Sequence, residues 1–225
     1  AAQFARSGKE VILLEFRPDF GTVSVQLNLK PDASLANLRD LEAVAITEQA
    51  VVRLLLDTPF GVRVLCGPQK AAEFGSFTAA HGGAILTRLN ALADYIIVDL
   101  PPAADEATEA ILKSSDQIIV VLEPEISCVA AAVQRLSQLS AYGSTLPVRV
   151  VAINRQGVLQ LSLREIEGRL GRTLTALLPP AAEALSAAVQ YGSPIIAFQP
   201  NHTFVEQVQE VIEKIQAGRV APLRM

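Results

Sequence analysis

The sequence predicts an α/β fold, a doubly wound, mostly parallel sheet flanked by helices, and three features of its pattern predict it. Short runs rich in Val, Ile and Leu recur along the chain, longer amphipathic stretches separate most of them, and Gly or Pro marks the boundaries. This alternation is expected of a parallel sheet, because each crossover between parallel strands is normally made by a helix. The runs are residues 11–16 (VILLEF), 62–66 (VRVLC), 95–99 (YIIVD), 117–122 (QIIVVL), 148–153 (VRVVAI) and a weaker 173–178 (TLTALL). Their nearly continuous apolar character predicts strands buried on both faces.

Residues 1–10 (AAQFARSGKE) read as the last turns of a helix, with Gly8 as its C-cap, feeding the first strand directly. A helix tail without a start predicts that an earlier segment precedes Ala1; the alternative is a natural start inside a helix. Helical patterns follow over 47–56, 74–91, 105–113, 128–139, 162–170, 181–191 and 203–216. In the last, Phe204, Val205, Val208, Val211, Ile212 and Ile215 recur at three-and-four spacing, an apolar stripe expected to dock on the sheet. Gly61, Pro68, Pro101-Pro102, Pro147, Pro179-Pro180 and Pro194 punctuate the element ends. Gly82-Gly83, inside a helical pattern, marks a break or a close packing contact. No repeat or linker divides the chain, so one domain over residues 1–225 is expected.

Composition bounds the function. A chain of 225 residues, 50% hydrophobic and 19% charged, can bury a full core. The net charge of −4, the lack of a basic run and an aromatic content of 5% give no bulk attraction to nucleic acid or to an anionic membrane. Cys66 and Cys128 lack CxxC spacing and read as buried thiols. His81 and His202 have no acid or cysteine at metal-ligand spacing and read as structural or surface residues. A GxSxG nucleophile motif is absent. The opening does not read as a signal peptide and no apolar run is long enough to span a bilayer, so a cytoplasmic location is expected. Residues 216–225 fall short of an amphipathic membrane helix, which leaves at most a peripheral hold on the inner face of the cell membrane.

Two strand ends carry candidate chemistry. In an open parallel sheet, ligands sit beyond the carboxyl ends of the strands. Asp99 closes the run YIIVD, where a carboxylate can hold a magnesium-bound water, and Pro101-Pro102 fix the turn leading away. The bland alternative is that Asp99 caps the next helix. Asn154 closes VRVVAI, and its amide can both donate to and accept from a base edge, or merely terminate the strand. The two are expected to share one rim.

The segments VILLEFRPDFGTVSVQLNLKP (11–31), GVRVLCGP (61–68), YIIVDLPP (95–102), VVAINR (150–155) and LPPAAEALSAAVQYGSP (178–194), in that order, resemble the MinD/ParA family of deviant Walker P-loop ATPases. Within it they are most similar to the CpaE and TadZ branch associated with pilus assembly. The resemblance implies that a strand and the loop GKGGxGK[ST] stand before Ala1; neither the loop nor its lysine occurs in this sequence. Gly8-Lys9 is no substitute, because Gln3 stands where GxxxxGK needs glycine and Glu10 where Ser or Thr must hold the metal. The resemblance makes Asp99 the Walker B acid, contacting magnesium through water, and Leu100, Pro101 and Pro102 the second switch. It makes Asn154 the adenine reader, joined by Arg155 and by Pro179 or Pro180 against the base.

Two departures stand out. Relatives carry acids after that proline, where this chain has Ala181-Ala182. At the first switch they read Asp-x-Asp, where this chain has Glu15-Phe16-Arg17, with Asp19 two residues on. Glu15 keeps the first charge at longer reach, whereas arginine cannot serve as an acceptor. Facing a γ-phosphate, Arg17 would aid binding by neutralising charge while the lost acid slows hydrolysis. The resemblance thus implies a slow ATPase or nucleotide-locked switch that uses ATP and magnesium, dimerises with itself and engages a protein of a pilus or polar-positioning system. The alternatives are a degenerate, non-hydrolysing scaffold, a ParA-like partitioning ATPase, which the acidic balance disfavours, or a metabolic relative sharing the fold.

Overall fold

A computed structural model describes residues 1–102, 105–142, 147–157 and 159–218. Its strands are β1 (Val11–Glu15), β2 (Leu56–Asp57), β3 (Val62–Leu65), β4 (Tyr95–Asp99), β5 (Ile118–Leu122), β6 (Val148–Ile153) and β7 (Ala176–Leu178). They hydrogen-bond as two sheets, β2-β3-β1-β4 and β5-β6-β7. Every pairing is parallel except β2 with β3. The chain divides into two compact units, residues 1–114 with 185–198, and residues 115–184 with 199–225.

In the first unit β1 is an inner strand, paired with both β3 and β4. Ile12 and Leu14 are therefore fully buried and join Phe16, Leu65, Ile85, Leu89 and Ile111 in one core. The short helix Ala2–Arg6 confirms the helical reading of the opening; its cap is Ser7, Gly8 follows at φ 75°, and Phe4 stacks on Tyr95 at 4.0 Å. The pattern over 47–56 shortens to the helix Glu48–Val52, and Leu56–Asp57 turns back at Gly61 (φ 77°) to pair antiparallel with β3. The pattern over 74–91 shortens to Ala79–Asn90, because Thr78 and His81 form a capping box that sets its start. One-turn helices at Val23–Gln26, Ala36–Arg39 and Ile195–Phe198 are too short to show periodicity in the sequence.

Gly82 does not break its helix. A Cβ there would lie 3.0 Å from Ala107 O and 3.3 Å from Ile111 Cγ1, whereas one on Gly83 would meet nothing within 4 Å. Gly82 thus lets the helices Ala79–Asn90 and Glu106–Ser114 approach closely. Gly83→Ala is expected to stabilise the fold by up to about 1 kcal/mol through helix propensity. Gly82→Ala should destabilise it despite the same propensity gain. Urea denaturation of the two variants measures both; equal effects would remove the packing role.

In the second unit β6 is the inner strand, and the stripe expected on the last helix docks on β6 and β7. Val211 is buried against Val151 and Leu178, with Phe204, Val208 and Ile215 packed around them. Ser162 and Glu165 form a capping box for the helix Leu163–Leu170, which ends at Gly171 in the left-handed conformation. One expectation fails here: among the described residues β5 pairs on one side only, with β6, and its Ile119 and Val121 are 41% and 58% exposed rather than buried on both faces. They share a face through the two-residue period of a strand.

Cys66 is fully buried, and burial, with the nearby charge of Glu15, pushes its thiol up to about 12; Cys128 is only half-buried, against expectation. Both histidines have structural partners: His81 in its capping box and His202 accepting the Phe204 N–H at 3.1 Å. Among the described residues no helix is long and apolar enough to cross a membrane. Arg219 and Arg224 of the C-terminal tail lie outside the described residues.

Candidate functional site

β1 and β4 run parallel and in register, so Glu15 and Asp99 are direct neighbours at the carboxyl rim of the first sheet. The Phe16 N–H donates to Asp99 O at 3.0 Å, which continues the pairing beyond the last strand residue. Arg17, two residues past Glu15, reaches back over this rim. Its Nη2 and Nε donate to Asp99 Oδ2 at 2.9 and 3.3 Å, and Nε lies 3.9 Å from Glu15 Oε1. The arginine is therefore directed at Asp99, and the two form an internal ion pair. Burial lowers the guanidinium pKa, but the hydrogen bond and charge of Asp99, with the charges of Glu15 and Asp19, raise it overall. With Arg17 28% and Asp99 41% exposed, the pair contributes about 0–1 kcal/mol. It orients groups more than it holds the fold.

Glu15 has a different role from the one its place in the motif implies. Its side chain is fully buried, and Oε1 accepts the N–H groups of Thr22 at 2.6 Å and Val23 at 3.0 Å. Oε2 accepts the Gly67 N–H at 3.0 Å. The carboxylate thereby ties the loop after β1 to the loop after β3. A Cβ on Gly21 would collide with Glu15 Oε2 and come within 3.0 Å of Gly67 Cα, so both glycines leave room for the acid. Two further bonds join the same loops, Gly21 N–H to Pro68 O at 2.7 Å and Ser24 Oγ to Gln69 Oε1 at 2.6 Å, while Gln69 Nε2 donates to Gly67 O at 2.7 Å within the second loop. The reading of the sequence missed this anchor, although a glycine after each strand end, at 21 and 67, was its available signal. Asp19 is exposed, and its charge bears on Arg17.

The helix-cap alternative for Asp99 is excluded, since Asp105 Oδ1 accepts the Thr108 N–H at 2.7 Å and caps the helix Glu106–Ser114. Leu100 packs partly buried against the first core; Pro101 and Pro102 follow it, and residues 103 and 104 lie outside the described set. A divalent cation can use this rim only in a restricted way. Glu15 is fully buried and already accepts from three amides, and Oδ2 of Asp99 holds a guanidinium. Asp99 Oδ1, which makes no hydrogen bond among the described residues, remains able to accept from a metal-bound water. No group of three or more candidate metal ligands occurs among the described residues.

The second unit forms a rim of its own at the carboxyl ends of β5, β6 and β7. Asn154 follows β6, is 8% exposed, and donates its backbone N–H to Leu178 O at 2.9 Å. Its Oδ1 accepts the Gly157 N–H at 3.1 Å, closing a turn in which Gly157 has φ 78°. The side-chain carbonyl is thus engaged, and the Nδ2 group is the half of the amide left to read a ligand. Arg155 pairs at the surface with Glu123 Oε1 at 2.9 Å, and Gln156 Nε2 donates to Glu125 Oε1 at 2.8 Å. Glu123 and Glu125, beyond β5, were not anticipated. The cleft between these two loops, about 10 Å³, has room for roughly one water. Pro179 is half-buried and Pro180 exposed; Pro180 stands beside the turn, its Cγ 3.9 Å from where a Cβ on Gly157 would lie.

No family model matches the chain. It is 21% identical over 215 residues to an uncharacterized ATP-binding protein of Methanocaldococcus jannaschii, covering 96% of this chain and 79% of that protein. Among solved structures it resembles a ParA family ATPase from Chlorobium tepidum TLS, with a TM-score of 0.82 and 16% identity, over 94% of this chain and 91% of that one. It also resembles the septum site-determining protein MinD of Pyrococcus horikoshii OT3, complexed with Mg-ADP, with a TM-score of 0.80 and 17% identity, over 96% and 88% of the two chains. The fold is therefore that of the α/β P-loop NTPases, and in particular the form found in MinD and ParA ATPases.

Proposed function

We propose that residues 1–225 belong to one ATPase domain, a nucleotide-dependent dimerising switch of the MinD/ParA kind that hydrolyses ATP slowly only together with a phosphate-binding loop that these residues do not contain and without which they are inactive. The observation that carries this reading is the Arg17–Asp99 pair at the rim of β1 and β4, on a fold shared with ATP- and ADP-binding proteins. In this reading Asp99 accepts from a magnesium-bound water through Oδ1, with Arg17 holding its other oxygen. The cation supplies charge neutralisation for the nucleotide phosphates when bound. The chain's own part is to orient Asp99 and to hold both loops of the rim through Glu15. Leu100, Pro101 and Pro102 form the second switch, while in the second unit Asn154, Arg155 and Pro179 or Pro180 address the base. By resemblance to the CpaE and TadZ branch, the partner is a protein of a pilus-assembly or polar-positioning system, reached in the cytoplasm or peripherally at the inner membrane face. The acidic balance argues against DNA.

A second reading, a scaffold that binds no nucleotide, is favoured by one observation: Glu15 and one oxygen of Asp99 are already occupied internally. Equilibrium binding of labelled ATP to the natural full-length protein, with and without magnesium, separates the two. Binding accompanied by phosphate release far below that of ordinary relatives is expected. Absence of binding would establish the scaffold, and turnover equal to that of relatives would refute the slow switch.

A further inference from the structure

Away from both rims, the second unit contains a cationic pocket for which the nucleotide reading has no use. It is about 180 Å³ in volume and lies at the amino end of β6 and beside the segment leading into β7, lined by Val148, Arg149, Arg172, Thr173, Thr175 and Lys214 among others. β6 has six residues, which puts this end roughly 17 Å from the Asn154 end.

Three cationic side chains meet here, and no carboxylate of the described residues pairs with any of them. Arg149 is 6% exposed, donating Nε to Gln117 Oε1 at 2.9 Å and Nη2 to Lys214 O at 2.5 Å, which leaves Nη1 without a bond among the described residues. The Arg172 guanidinium makes no hydrogen bond or ion pair among them, and its Nη1 is buried without a partner. Lys214 Nζ donates to Thr175 O at 2.8 Å and has two further protons to give. Glu167 Oε1 accepts the Leu174 N–H at 2.9 Å, and its carboxylate makes no ion pair with any of the three cations. Burial lowers the pKa of both guanidinium groups. Arg149 is the buried charge of the three and has no counter-charge, which is costly, and an anion in the pocket would offset that cost.

We propose that Arg149, Arg172 and Lys214 form a binding site for a small oxyanion of the phosphate class. Guanidinium groups match the geometry of phosphate oxygens, and Thr173 and Thr175 line the same pocket. The volume suits a single phosphate group and is too small for a nucleotide, whose pockets begin at about 300 Å³.

The test is thermal unfolding and titration calorimetry of the full-length protein with inorganic phosphate, against chloride and acetate at equal ionic strength. Phosphate should stabilise saturably, and Arg172→Gln should weaken its affinity by about tenfold or more, the loss expected for a charge-assisted bond. Arg172 is chosen because its side chain holds no protein partner, so its replacement leaves the fold's own bonds in place. Lys214→Gln should weaken binding less, and stabilisation by phosphate should persist in Asp99→Ala, which separates this pocket from the candidate nucleotide site. Phosphate acting no differently from chloride, unchanged affinity in Arg172→Gln, loss of the effect in Asp99→Ala, or equal stabilisation by acetate would each overturn the assignment.

Discussion

Replacing Glu15 by alanine is expected to lower the stability of the first unit by about 3–5 kcal/mol, a large share of the 5–15 kcal/mol typical of a domain. The substitution removes a fully buried carboxylate and strands the N–H groups of Thr22, Val23 and Gly67 together. Buried donors without an acceptor lose their desolvation free energy with nothing in return. Glu15→Gln keeps the shape and one acceptor, but turns an amide NH₂ toward at least one N–H, so a smaller loss of about 1–3 kcal/mol is expected. Gly21→Ala should be destabilising in the same way, because its Cβ would displace the carboxylate from its amides. Denaturant unfolding of the three variants measures this. An alanine variant within about 1 kcal/mol of the parent would show that the anchor is not what holds the two loops.

Arg17 should behave in the opposite manner, with little effect on stability and a large effect on nucleotide chemistry. Its partner is partly solvated, so Arg17→Ala is expected to change unfolding free energy by less than about 1 kcal/mol. Released from the guanidinium, Asp99 presents both oxygens, and the magnesium dependence of ATP affinity in the full-length protein should rise by about tenfold. Arg17→Asp also places an acid two residues after Glu15, and under the proposed function steady-state phosphate release should rise by tenfold or more. Arg17→Lys should stay near the parent. If neither the alanine nor the aspartate variant alters magnesium dependence, the pair has no part in nucleotide handling. If the full-length protein binds no ATP at all, the scaffold reading replaces the switch before Arg17 is in question.

Much of the fold was legible in the chain because the relevant signals are local. The runs at 95–99 and 148–153 became β4 and β6 with those same bounds, and the pattern over 203–216 became the helix Thr203–Gln216. In each case a period of two or of about 3.6, bounded by turn residues, is enough to choose the element. Misses occurred where a tertiary contact overrode the pattern. Leu56 ends a helical run by sequence, but Leu56–Asp57 adds an antiparallel edge to β3, and two strand residues carry no readable period. For Gly82 the sequence left a break or a close packing contact open, and the neighbouring helix decides for the contact.

The sequence by itself determined the alternation of strands and helices, the placement of Asp99 and Asn154 at strand ends, and the oddity of an arginine two residues after Glu15. Each follows from residues close together in the chain, whose side-chain period and turn chemistry are set by backbone geometry. Tertiary structure alone decided what those side chains meet. Arg17 and Asp99 stand 82 residues apart, Glu15 and Gly67 stand 52 apart, and Arg149 and Lys214 stand 65 apart. A carboxylate surrounded by amides and a guanidinium without a counter-ion look alike in sequence to their solvated counterparts. Their charge is revealed as satisfied or unsatisfied only when the fold removes water and supplies, or withholds, a partner.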